Sequence, residues 1–145
     1  MTRRRLAIAP GPLEAVRRHA AEAYPEECCG FLLGRELPEG ATVERTLAAA
    51  NEHPAERSTR YLIPPERVLA ARREARAEGF EVVGYYHSHP DRSGEPSRRD
   101  LEDAWPAVSY LIVPVAEGLA GRPRSWRLRG NGQGFEEETL EGSRG

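Results

Sequence analysis

Leu13, Val16, Arg17 and Ala20 fall at helical spacing behind Pro12, which suits a first helical turn, and they predict a helix reaching about Tyr24, where Pro25 stops it. The period then changes. Residues 28–34, Cys-Cys-Gly-Phe-Leu-Leu-Gly, form a short apolar run bounded by glycine, which reads as a buried strand, and residues 42–49 read as a second strand after the Pro38-Glu39-Gly40 turn. Residues 51–59 are polar and irregular, as a surface loop is. A second helix is expected from about Pro65 through Val68, Leu69, Ala71 and Ala75 to a stop at Gly79. Residues 80–89 are rich in aromatic and β-branched side chains, the mark of a central strand, and Pro90 ends them. After a loop with Ser93, Gly94 and Pro96, a short helix should run from Ser97 to Trp105, followed by a buried strand over 108–115. Residues 124–129 and 134–139 read as weaker strands at the sheet edge, and 140–145 as a loose tail. With no internal repeat and no linker, the pattern gives an α/β or α+β class, a mixed sheet flanked by helices in one domain over residues 1–139.

Composition narrows the function. At 145 residues, one domain with a real core is the default. Hydrophobic residues make up 39%, charged residues 30%, and the formal net charge is -2, which excludes a disordered or polybasic chain and argues against nucleic acid as a partner, since phosphate binding needs a concentrated basic face. All 21 basic residues are arginine, so the chain offers no lysine for isopeptide modification. The only cysteines, Cys28 and Cys29, are adjacent and give no extracellular disulfide scaffold; they fit a reducing cytoplasm and small buried packing better than zinc ligation or a thiol nucleophile. The basic start, residues 2–5, precedes an apolar run too short for a signal peptide, and the run from 107 to 116 falls well short of the roughly 20 residues of a membrane span.

The chemistry concentrates in His87-Ser88-His89-Pro90 and the polar stretch behind it. Residues two apart on a strand share a face, so His87 and His89 project together, which is half of a zinc site awaiting a carboxylate and a water. Asp91, Glu95 and Asp100 are the nearby acids. Asp91 would complete the His-x-His-x-Asp of a metallo-β-lactamase, but that motif continues with histidine where Arg92 stands, and His19 and His53 are too few to supply the rest. Asp100 is better placed, because a loop after the strand can return the next helix's first turn over the strand end. Ser97-Arg98-Arg99-Asp100 is equally a capping box, in which serine caps a helix and the acid reaches back to it.

His87, His89, Pro90, Ser97 and Asp100, with the aspartate eleven residues after the second histidine, resemble the JAMM (MPN+) zinc metalloproteases. Glu27-Cys28-Cys29-Gly30-Phe31-Leu32-Leu33-Gly34 resembles that family's upstream glutamate and glycine-bounded strand, so the likeness spans roughly residues 6–115. It implies a cytidine-deaminase-like architecture, zinc (Zn2+) held by His87, His89 and Asp100, Glu27 rather than Glu26 as general base, and Ser97 stabilising an oxyanion. It further implies a peptidase or isopeptidase cutting after the C-terminal Gly-Gly of a ubiquitin-like sulfur carrier protein, whose flexible tail would suit a groove beside a strand edge. A homodimer is left open. The same fold without metal ligands serves as a catalytically inactive scaffold in protein complexes, the alternative function. A zinc nucleobase deaminase is excluded, because neither its H-x-E nor its Pro-Cys-x-x-Cys element is present.

Overall fold

The computed structural model of the chain describes residues 3–142. In order, the elements are β1 (Arg5–Ile8), α1 (Pro10–Ala23), β2 (Cys29–Leu37), β3 (Gly40–Ala49), α2 (Pro65–Ala77), β4 (Glu81–Pro90), α3 (Arg98–Glu102), β5 (Ser109–Ala116), β6 (Leu119–Ala120), β7 (Arg124–Leu128) and β8 (Phe135–Gly142). Both long helices start on proline, whose fixed φ and missing N–H cost nothing in a first turn. Each turns one small-residue stripe to the sheet, Val16 and Ala20 on α1 and Ala71 and Ala75 on α2, at the i, i+4 spacing that places two side chains on one face. Gly79 stops α2 at φ +81, a conformation glycine adopts without strain.

The sheet is mixed and closed on itself. Strands follow the order β4-β2-β3-β1-β8-β7-β5, and a parallel β4–β5 pairing from Gly84↔Ser109 to Pro90↔Val115 joins the two ends, with β6 as a short hairpin on the end of β5. The pairs β1–β3, β1–β8 and β4–β5 are parallel and the others antiparallel. Two apolar clusters lie on opposite faces. One joins α1 to Leu6, Ile8, Leu32, Val43, Tyr86 and Leu111; the other joins α2 to Cys29, Phe31, Leu33, Tyr85 and Tyr110. β4 lies between them and is buried without a break from Val83 to Pro90, which is why its sequence shows a continuous run rather than an alternation.

Two expectations need correcting. β7 and β8 are not edge strands: β7 lies between β5 and β8, and β8 between β7 and β1. Their composition imitates an edge because charges on them pair across the ladder, Arg124 Nε donating to Glu137 Oε2 at 2.9 Å and Ser125 Oγ to the buried Glu138 at 2.7 Å. Residues 140–142 are not a tail but complete β8, in register Leu6↔Leu140 with β1; the remaining tail positions, 143–145, lie outside the described residues. β1 itself escapes a pattern reading, because four residues beside a run of arginines give too little alternation. No helix among the described residues is long and apolar enough to cross a membrane.

Candidate metal centre

β4 delivers His87 and His89 to the α2 side of the sheet, and the chain comes back to them by a turn and a loop. Arg92 N–H donates to His89 O at 3.4 Å, Trp126 Nε1 on β7 donates to Gly94 O at 2.9 Å, and α3 then begins over the strand end. Its cap is Ser97, whose Oγ accepts the Asp100 N–H at 3.1 Å while Asp100 Oδ2 accepts the Ser97 N–H at 2.8 Å. The capping box therefore forms, and the same carboxylate faces both imidazoles: Oδ1 lies 3.2 Å from His87 Nε2 and Oδ2 lies 3.0 Å from His89 Nε2. The two readings of Ser97-x-x-Asp100 are one structure, since the cap is what aims the acid.

The donor set can hold a cation. His89 Nδ1 lies 2.8 Å from Ser93 O, a carbonyl that only accepts, so Nδ1 carries a ring proton and the neutral form of the ring presents a lone pair at Nε2. That lone pair meets His87 Nε2 at 3.2 Å and Asp100 Oδ2 at 3.0 Å. Three such atoms at these distances need a positive centre among them, which a proton on His87 Nε2, whose affinity for it Asp100 raises against the effect of burial, or a bound cation supplies. In a tetrahedral zinc site with bonds of 2.0–2.2 Å, ligand atoms sit about 3.3 Å apart, close to the spacing found. The Ser93 tether also supplies the outer hydrogen bond that fixes a metal-bound histidine's tautomer. His87 is fully buried under Tyr61, whose ring stacks on it at 4.6 Å between centroids. Burial alone would leave the Asp100 carboxyl reluctant to ionise, but the facing His87 and His89 and the Ser97 N–H hold it well below the usual carboxylate range.

Glu27 reaches the same place from the turn before β2. Its N–H donates to Arg57 O at 2.7 Å and its carbonyl accepts from Asn51 Nδ2 at 3.1 Å, so the 51–64 loop clamps its backbone. The side chain is buried; Oε2 accepts from Arg92, and Oε1 is buried with no partner. Burial pushes the Glu27 carboxyl up, opposed by His87, His89 and Arg92. Glu26 points the other way, half exposed and paired with Arg57 at 3.2 Å. Cys28 and Cys29 are free, buried thiols that burial pushes up to about 11 and about 12, so they stay protonated and inert at neutral pH.

Glu27 and Asp100 line a cavity of about 740 Å³ whose walls include Tyr61, Leu62, Ile63 and Trp105. A smaller hollow beyond it is lined by His89, Arg92, Ser93, Glu95, Pro96 and Ser97. Along β4, pairing with β2 reaches His87 and pairing with β5 reaches Pro90. Arg92, Tyr61 and Asn51 are site residues that the sequence does not single out. Arg92 stands three positions after His89, yet nothing in one sequence tells a guanidinium bound to the buried acid from one in solvent.

The sequence profile of the family described as prokaryotic homologs of the JAB domain matches residues 11–129. A protein named desampylase from Haloferax volcanii is 35% identical over 122 residues, 77% of this chain and 82% of that one. A Thermus thermophilus protein named as a probable TtuB-protein conjugate cleaving protease is 36% identical over 107 residues, 74% of this chain and 68% of that one. The solution structure of a Desulfitobacterium hafniense protein superposes with a TM-score of 0.82 at 26% identity, covering 97% of this chain and 94% of that one.

Proposed function

Since the chain belongs to the prokaryotic JAB-domain family, of the JAMM type, we propose that it is a zinc-dependent peptidase or isopeptidase that cuts the bond after the C-terminal Gly-Gly of a ubiquitin-like sulfur carrier protein. The observation that carries this reading is the meeting of His87 Nε2, His89 Nε2 and the Asp100 carboxylate within 3.0–3.2 Å, beside a buried Glu27 Oε1 with no partner. Relatives named for desampylation and for cleaving protein conjugates support the substrate class. His87, His89 and Asp100 would hold the zinc. When bound, zinc acidifies a water toward a pKa of about 7 and polarises a carbonyl.

The chain's own groups supply the rest. Glu27 takes a proton through Oε1 and returns it to the leaving amine, a role that its raised affinity for the proton favours. The Ser97 hydroxyl accepts from Asp100 N–H, which leaves its own hydrogen free to donate to the oxygen of the scissile carbonyl as charge develops there. Ser93 O keeps the His89 ring oriented, and Tyr61 covers His87 from water. The apolar wall of Tyr61, Leu62 and Ile63 suits a narrow, side-chain-poor tail. The test is incubation of the protein with small Gly-Gly-ending carriers bearing C-terminal extensions, read by mass spectrometry. Cleavage after Gly-Gly, abolished by a chelator and restored by zinc, is the expected result; intact substrates with a zinc-loaded protein would overturn the proposal.

A further inference from the structure

The hydrolysis described above uses Glu27 but not the guanidinium that touches it. Arg92 leaves the turn after β4 and crosses to Glu27 Oε2, reaching from a side chain one-third exposed to an acid only 2% exposed. The contact divides the carboxylate. Oε2 is held, and Oε1 remains buried with no partner. A carboxylate bound by neither oxygen turns broadly about its last torsion, and a misplacement of about 1 Å at a reacting group can cost on the order of a hundredfold in rate. The hydrogen bond from the Arg92 guanidinium to one oxygen removes that freedom. Glu27 has few other side-chain restraints: its backbone is clamped by Arg57 O and Asn51, whereas Arg92 makes the one hydrogen bond to its carboxylate among the described residues.

We propose that Arg92 is a positioning residue, holding Glu27 by Oε2 so that Oε1 is the oxygen that exchanges protons. The idea rests on the hydrolase reading above. It predicts a defect in turnover rather than in substrate binding, and a displaced Glu27 when the guanidinium is removed.

The experiment compares the wild type with Arg92→Ala and Arg92→Lys by kcat and KM on a carrier protein joined through Gly-Gly to a fluorescent peptide, by zinc content, and by crystal structures. In Arg92→Ala, kcat should fall about ten- to a hundredfold with KM and zinc content unchanged, Glu27 should leave its wild-type rotamer, and added guanidinium ion should restore part of kcat. Arg92→Lys should fall between the two. A loss confined to KM would make Arg92 a substrate contact and overturn the proposal, as would an unchanged kcat or a Glu27 that keeps its place in the Ala variant. If the wild type cleaves nothing, the hydrolase reading fails by itself, and the position of Glu27 in the Arg92→Ala crystal still decides whether Arg92 sets it.

Discussion

At Asp100 a single carboxylate completes a helix cap and faces two imidazoles, with Oδ2 accepting from Ser97 N at 2.8 Å and standing 3.0 Å from His89 Nε2. Ser97 has the same double character, so Ser97→Ala should show two separable effects. Loss of the cap should cost about 1 kcal/mol in a denaturant melt, and loss of the hydroxyl donor should lower turnover by on the order of a hundredfold; a serine that only caps would show the first and not the second. Glu27→Gln keeps the size and most of the polarity of the side chain and removes its basicity. Zinc content should be unchanged while kcat falls at least about a hundredfold, measured by metal analysis beside steady-state kinetics. Loss of the metal in that variant would make Glu27 a ligand instead.

Among the elements, β4 is the one on which the site depends, and its junction with β5 has little tolerance. A Cβ added at Gly84 would stand 2.3 Å from Ser109 O, at the first residue pair of the ladder that closes the sheet. Gly84→Val should therefore destabilise the fold by about 1–3 kcal/mol in urea unfolding; unchanged stability would mean that the two strands part without cost. The helices, the central strands and the His87-x-His89 pair were legible because each has a local signature: proline at a helix start, a continuous apolar run, two residues on one strand face. The short helix was legible for the same reason, with Ser97 as its cap, although it ends at Glu102, before the expected Trp105. Arg92 and Tyr61 were not legible, because their roles arise from contacts with Glu27 and His87, which lie 65 and 26 positions away along the chain.

Closure of the sheet is a property of the whole molecule, and it is the part of the fold that sequence conveyed least. Long-range pairing of β1 with both β3 and β8 leaves no local trace, so the last strand reads as an edge followed by a tail. A chain ending at Glu138 loses the four residue pairs from Arg5↔Thr139 to Ile8↔Gly142. It should lose about 2 kcal/mol or more, at roughly 1 kcal/mol per ladder hydrogen bond, seen as a lower denaturation midpoint; a midpoint equal to that of the full chain would restore the tail reading.

The most direct measurement is anomalous X-ray scattering at the zinc edge from crystals of the zinc-loaded protein. One peak should appear about 2.0–2.2 Å from His87 Nε2, His89 Nε2 and an Asp100 oxygen, on the side facing Glu27 Oε1. Density located elsewhere, or no peak beside these three side chains at full zinc loading, would contradict the assignment of the centre and with it the chemistry built on it.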